Sequence, residues 1–303
     1  MMETEFKRPT LGDYCKSLEL RYTQGVGWME AHSAVLIPVA QYCIIRVDGR
    51  AFHTFTKPYK ARKDNPFSPD IVNAMKAAVE SLIAEFSPVV VYTQSDEITV
   101  VIDPSKVPFG RKCHKLNSIA ASVATAAFNG YLYRNSLNRT DKPATFDARS
   151  YGADRNDVLK VLIWRQKDAI KNSISAVART VYSHKVLESK NSDERMSMLA
   201  DKGVDWHAYP YGDKYGLTAF RVTKEIAIDA DFLRKNNVPE SVIEQLSGEG
   251  GKAMRSVTEY PELPPFTDIE NLDEVIFSQE APVYSANSAL KILNQKEIDY
   301  EDA

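Results

Sequence analysis

Val89 to Ile102 reads VVVYTQSDEITVVI, two β-branched runs on either side of a polar centre, Gln94 to Glu97. Two such runs around a short polar tip specify a β-hairpin, and here they carry Asp96 and Glu97 to its end. Pro88 closes the segment before it, in which Ile71, Val72, Met75, Val79, Leu82, Ile83 and Phe86 recur at helical spacing. With Ser68 as N-cap and Pro69 at the first helical position, that spacing predicts a helix over about 69 to 86. Further back, Gln41 to Val47 (QYCIIRV) is a short apolar run that stops at Asp48-Gly49, the pattern of a buried strand ending in a turn. Strand, helix and hairpin in that order begin a ferredoxin-like α+β arrangement. Its first strand lies beside the hairpin, so Asp48 and the Asp96-Glu97 pair are expected to meet on one edge of an antiparallel sheet.

Downstream, Ile119 to Leu132 reads as a closely packed helix starting after the basic stretch Arg111 to Lys115, and Val158 to Ser183 as a second long helix. Asn191 with Glu194 has capping-box spacing for a short helix that ends at Gly203. Leu217 to Ile228 is strand-like, and Pro261, Pro264 and Pro265 favour an extended linker or arm.

The 303 residues allow one large or two modest domains, and a composition 44% hydrophobic and 26% charged excludes disorder over most of the length. The net charge of −3 conceals an asymmetry. Residues 1–221 hold 31 Lys and Arg against 24 Asp and Glu, net +7, and residues 222–303 hold 7 against 17, net −10. A basic body of 1–221 with an acidic extension of 222–303 is therefore expected, an arrangement suited to a polyanionic partner. Cys15, Cys43 and Cys113 have neither zinc nor disulfide spacing, which fits a reducing cytoplasm. The most apolar stretch, Ala34 to Val47, is interrupted by Pro38, Gln41 and Arg46, and Met1 to Thr10 lacks the apolar centre of a signal peptide. No membrane association is expected.

Convergent carboxylates repel, and a divalent cation is the usual compensation. Mg²⁺ takes one or two carboxylates and leaves its other positions to substrate phosphates. Two such ions about 4 Å apart serve phosphoryl transfer by favouring both the attacking and the leaving oxygen. An Asp-Gly pair alone marks a turn, and Ser-Asp-Glu alone a solvated tip. What adds weight is the basic company, Arg46, Arg50, Lys57, Lys60, Arg62, Lys63, Arg111, Lys112, Lys115 and Arg149, on the loops and helix starts nearest the acids.

Asp48-Gly49-Arg50-Ala51-Phe52-His53-Thr54-Phe55, then Gln94-Ser95-Asp96-Glu97, then Trp164-Arg165-Gln166, resembles in order and spacing the tRNA-His guanylyltransferase family from about Leu11 to Arg221. The resemblance implies a polymerase-type palm adding nucleotides to the 5′ end of RNA, in the 3′ to 5′ direction. By the same resemblance Asp48, Asp96 and the Gly49 carbonyl would hold two Mg²⁺ ions, with Glu97 alongside. Arg50, Phe52, His53 and Ser95 would line the nucleotide. Arg111 or Lys112, Lys115, Arg149 of Phe146-Asp147-Ala148-Arg149, and Lys190 would contact phosphates. Arg165, Asn172 and Arg179 recur at helical spacing with Asp168 and share a polar face, read with Lys190 as an RNA contact. Substrates implied are GTP or other NTPs, ATP and tRNA, and the assembly implied is a homotetramer.

The chain also departs from that family's pattern in places. Ile170-Lys171-Asn172-Ser173 stands where eukaryotic members have His-Ile-Asn-Asn, which resembles the archaeal and bacterial branch and its templated 5′-end repair. Asn65 stands where a family lysine precedes Pro-Phe, with Lys63 two places earlier. The segment after Arg221 has no family counterpart legible in the sequence. A nucleotide cyclase on the same palm and a catalytically idle RNA-binding protein are the rival readings.

Overall fold

The computed structural model describes residues 10–15, 35–59, 66–227, 229–247 and 252–285. Lys60, Arg62, Lys63 and Asn65 lie outside the described residues, as does the C-terminal end.

Six strands form one sheet in the order β4-β1-β3-β2-β5-β6, with every neighbouring pair antiparallel. They are β1 (Tyr42–Gly49), β2 (Val90–Gln94), β3 (Glu97–Ile102), β4 (Phe146–Ala153), β5 (Leu217–Ala227) and β6 (Lys252–Glu259). The first four have the ferredoxin-like order expected of strand, helix, hairpin, helix, strand. Helix α1 (Phe52–Phe55) follows β1, α2 (Pro69–Phe86) leads into the hairpin, α3 (Cys113–Arg134) precedes β4 and α4 (Arg155–Val181) follows it.

Strand alternation sorts the two faces. Cys43, Ile45 and Val47 of β1, with Ile98, Val100 and Ile102 of β3, point to α2 and α3 and join Leu82, Ala120, Ala124 and Phe128 in the larger core. Ile44, Tyr92, Val101 and Tyr151 point the other way, onto Val158, Val161 and Leu162 of α4. The helix over Pro69–Phe86 has Ser68 as N-cap and Pro69 in its first turn, as the sequence predicts.

Helix α3 begins earlier than expected, at Cys113 inside the basic stretch. Its buried stripe, Cys113, Leu116, Ala120, Ala124, Phe128 and Leu132, keeps helical spacing back to that residue, so packing extends the helix past the charges. The capping box at Asn191 and Glu194 forms on α6 (Ser192–Ala200), which follows the short α5 (His184–Leu187), and Gly203 has a φ of 68° just beyond it.

The boundary expected after Arg221 falls inside β5, which pairs with β2 at one end and with β6 over its length beyond Phe220. Past β6 the chain returns to the core. Leu263, Phe266, Ile269, Leu272, Val275 and Ile276 are buried against α4 and the sheet, the last three on α10 (Leu272–Ser278). Gln166 of α4 accepts a hydrogen bond from the Phe266 amide. The proline-dotted stretch is thus an integral part of the second core, because its apolar residues supply the cover that α4 leaves open. Between β5 and β6 lie α8 (Ala230–Lys235) and α9 (Glu240–Ser247).

Candidate active site

The end of β1 and the hairpin tip are tied together by backbone. Gln94 pairs with Glu97, which leaves Ser95 and Asp96 as a two-residue turn, and Ser95 adopts a φ of 52°. The Gly49 amide donates to the Asp96 carbonyl at 3.0 Å, and the Arg50 amide to the Thr145 carbonyl at 2.8 Å. Position 49 is glycine for a steric reason. A Cβ there would lie 2.3 Å from the Phe52 ring. Phe52 itself is buried among Phe55, Phe128 and Phe146, so its part in the site is to set the turn and form one wall rather than to reach out to a ligand.

Register places Asp48 directly opposite Glu97 on β3 and Asp147 on β4, three carboxylates on one face of three adjacent strands. One pleat back, Arg46 faces Arg149 across β1 and β4. Burial pushes the Asp96 carboxyl above the usual range, and the Asp48 charge adds to that rise while the Ser95 hydroxyl opposes it. Burial likewise carries Glu97 up to about 7, against the pull of Arg165 and Arg46.

Glu97 is the member of this group that is already compensated. Arg165 of α4 lies 2.6 Å from it at two contacts and 3.1 Å from Asp168. Arg165 is 6% exposed, so the RNA contact expected of it is corrected to a buried ion pair that fastens α4 to the hairpin. Its ring neighbour Trp164 lies 4.6 Å from the guanidinium. With Gln166 bound to Phe266, the Trp-Arg-Gln run is a structural lock on this face.

The expected polar face of α4 is therefore divided. Asn172 is exposed toward a cavity, and Arg179 is exposed at the last turn of the helix. That cavity, of about 360 Å³, lies beside the hairpin tip. Phe52, His53, Ser95, Asp96 and Asn172, all expected at the site, line it. Its other walls come from the start of α2 (Ser68, Ile71, Val72, Met75) and from α7 (Tyr211–Tyr215) with Gly216 and Leu217. Gly216 has a φ of 74°, and a Cβ there would come 2.4 Å from the Tyr92 hydroxyl, so the turn after α7 needs glycine to close on β2.

Two expected phosphate contacts are not brought to the acids. The Arg111 guanidinium donates to the carbonyls of Ile37 (2.8 Å), Pro104 (2.6 Å), Pro38 (2.5 Å) and Gln41 (3.3 Å). It organises the entry to β1 and commits four of its five N–H donors to backbone carbonyls, which holds the guanidinium there. Lys115 is exposed in the first turn of α3, on the face of the sheet opposite Asp48. The helix meets β4 at Thr125, which accepts from the Phe146 amide, and ten residues of helix put Lys115 about 15 Å from that point. Arg149 lies 3.4 Å from Asp147 and remains 42% exposed, on the same face as Asp48. Lys190 is paired with Glu194 at 2.9 Å in the capping-box turn.

Asp213 of α7 is a cavity residue that the sequence reading missed. It carries no motif, and the only local signal was its position between Gly212 and Gly216. Burial holds its carboxyl up at about 6.

Among the described residues no group of three or more His, Cys, Asp or Glu is arranged to hold a metal ion, and no helix is long and apolar enough to cross a membrane. The Asp48 and Asp96 carboxylates and the Gly49 carbonyl offer only hard oxygen donors. Such a partial set fits Mg²⁺, whose remaining positions go to water and phosphate.

Residues 26–153 match the family model described as tRNAHis guanylyltransferase. An uncharacterized protein of Acanthamoeba polyphaga mimivirus is 26% identical over 262 residues, 77% of this chain and 81% of that protein. The tRNA(His) guanylyltransferase of Schizosaccharomyces pombe is 34% identical over 139 residues, 44% of this chain, so the match spans about half (51%) of that relative's length. Among solved structures, a bacterial tRNA(His) guanylyltransferase-like protein in complex with ATP superposes with a TM-score of 0.62 at 26% identity, over 88% of this chain and 99% of that one. A coverage of 88% extends past Arg221, so part of the C-terminal segment does have a counterpart, where the sequence offers none. Motifs, domain and fold converge on one likeness: residues 26–153 match the tRNAHis guanylyltransferase model, and the fold is similar to that of the bacterial tRNA(His) guanylyltransferase-like protein.

Proposed function

We propose that this chain is a Mg²⁺-dependent nucleotidyltransferase that extends tRNA at its 5′ end, in the 3′ to 5′ direction, using GTP or other NTPs. The observation that carries this reading is the tie between β1 and the hairpin tip, which brings the Asp48-Gly49 end of β1 to Asp96, a residue that lines a cavity of nucleotide size. Asp48, Asp96 and the Gly49 carbonyl would hold two Mg²⁺ ions, which when bound lower the pKa of a hydroxyl and neutralise a leaving phosphate.

The chain's own residues bind and orient. His53 and Ser95 flank the nucleotide in the cavity, while the apolar wall of Ile71, Val72 and Met75 excludes water from the base. Arg46 and Arg149, opposed on neighbouring strands, put two cations on the face that carries Asp48, where a triphosphate or an RNA 5′ phosphate would meet them. Arg50 and Arg179 are exposed cations available to the RNA backbone, and Lys190, exposed in its pair with Glu194, would exchange that partner for a phosphate. In the transfer, the 3′-hydroxyl oxygen of the incoming NTP forms a bond to the 5′-terminal phosphorus of the RNA. The bond to pyrophosphate, or to AMP where the end was adenylylated from ATP, breaks, and the hydroxyl proton passes to solvent.

The bacterial relative with ATP, and the same type of protein with GTP, support nucleotide use. The Asn172 pattern of the archaeal and bacterial branch supports templated repair of truncated tRNA over untemplated addition to tRNA-His. Cytoplasmic placement and a homotetramer complete the proposal. Its test is incubation with labelled GTP, Mg²⁺ and a 5′-truncated tRNA. A longer RNA is the expected result. A cyclic nucleotide, or retardation of the RNA without product, would overturn it in favour of a cyclase or an idle RNA-binding protein.

A further inference from the structure

Several hydroxyls that line the cavity are already committed within the fold. The Ser173 hydroxyl donates to the Ile170 carbonyl at 2.8 Å and accepts from the Trp206 indole at 3.1 Å. The Thr93 hydroxyl donates to the Glu97 carbonyl at 2.9 Å. Asp213 differs. Its carboxylate lines the cavity, and among the described residues it has neither a hydrogen-bond donor nor an ion-pair partner. Ser68 has a buried hydroxyl that is also without a partner among the described residues.

A half-buried carboxylate without donors is costly unless a ligand supplies them. Two acceptor oxygens side by side require two adjacent donors. On the pairing edges of the purines only guanine presents such a pair, N1–H next to the 2-amino group. Adenine presents one donor beside an acceptor nitrogen, whose lone pair would meet a carboxylate oxygen. Asp213 also comes from α7 and not from the hairpin, so it can contact the base while Asp96 stays on the metal side of the cavity.

We propose that Asp213 selects guanine in a nucleotide bound before, or without, pairing to a template base, by accepting hydrogen bonds from N1–H and the 2-amino group. The proposal rests on the reading of this cavity as the nucleotide pocket. It adds a specificity residue outside the Asp-Gly-Arg, Ser-Asp-Glu and Trp-Arg-Gln motifs, and it makes the preference for GTP a property of the protein even where no template base is present.

The test is calorimetric titration of the full chain, in Mg²⁺ and without RNA, with GTP, inosine triphosphate (no 2-amino group), xanthosine triphosphate (2-oxo in its place) and ATP. Wild type is expected to favour GTP over the other three by about tenfold or more, the effect of losing one hydrogen bond to a charged group. Asp213→Ala should bring GTP and inosine triphosphate to equal affinity. Asp213→Asn presents one acceptor and one donor, and it should reverse the order of GTP and xanthosine triphosphate, a change that a merely structural role would not produce. Melting curves confirm that each variant is folded. An unchanged order of nucleotides in both variants overturns the assignment and leaves the pocket standing. A wild type that binds none of the four overturns the pocket itself, and the assignment with it. Selection that shows only toward the terminal guanosine of an RNA, and not toward free GTP, also overturns the proposal.

Discussion

The two faces of the sheet are built from the same strands and do different work. On the α2 and α3 side the strands present Cys43, Ile45, Val47, Ile98, Val100 and Ile102, an apolar surface sealed by two helices. On the α4 side the same strands carry an apolar half, Ile44, Val101 and Tyr151, and then, toward the end of β1, Arg46, Asp48, Glu97, Asp147 and Arg149. A strand that changes from apolar to charged along one face cannot be fully covered by a helix without burying charge. The second face is therefore half core and half site, and one charge on it, Glu97, is taken into the core by Arg165. Stability and chemistry are separated by a single step along the strand, because alternation lets Val47 belong to one face and Asp48 to the other.

Variants can break that division. The largest effect is expected from Asp48→Ala and Asp96→Ala, which should abolish nucleotide addition while leaving the melting temperature unchanged or higher, since each removes a carboxylate that others repel. Wild-type turnover in either variant would show that the charged half of the face is not the site.

Next in size is Arg165→Ala, which leaves Glu97 buried without its cation. Loss of one partner of a buried pair should cost about 4 kcal/mol in urea denaturation. Glu97→Gln combined with Arg165→Met should recover most of that loss, whereas an exposed RNA-contact arginine would show neither the cost nor the recovery.

Phe266→Ala probes the apolar half at the point where the C-terminal segment covers it. Phe266 is 1% exposed, and the truncation should cost about 3 kcal/mol. A stability within experimental error of wild type would mean that 260–285 is an appendage after all.

The smallest expected effect is a pH-dependent one at Asp213. Its carboxyl titrates at about 6 in the folded protein against 3.8 ordinarily, so between those values the folded state binds more protons than the unfolded state, and stability falls as pH rises. Asp213→Asn should therefore melt higher than wild type at pH 8, with the difference fading toward pH 4. An equal difference at both pH values would place the Asp213 charge in solvent and sharpen the boundary of the cavity.

Much of the site was legible because it is local. The hairpin comes from fourteen residues of alternating pattern around a polar tip, and Asp48 stands where an apolar run meets Asp-Gly; neither needs distant information. Arg165 and Arg111 were read wrongly for one reason. Spacing along α4 shows that Arg165, Asp168 and Asn172 share a side of the helix, but it does not show that the Arg165 end of that side presses on the sheet. Likewise nothing near Arg111 reveals that Ile37 and Pro38 return their carbonyls to it. Asp213 lay beyond reach because its meaning comes from a cavity whose walls are more than a hundred residues apart in the chain.

By itself, then, the sequence determined the palm topology, the acids at its edge and the family resemblance, since periodicity, turn chemistry and ordered motifs are properties of short stretches. Only the tertiary structure decided which charges are spent inside the protein and which are left for a ligand. It also decided that the acidic segment belongs to the core, with Phe266 and Ile276 closing over α4. The physical reason is that desolvation depends on everything packed around a group, and a charge acquires its role from the partners that folding brings to it or withholds.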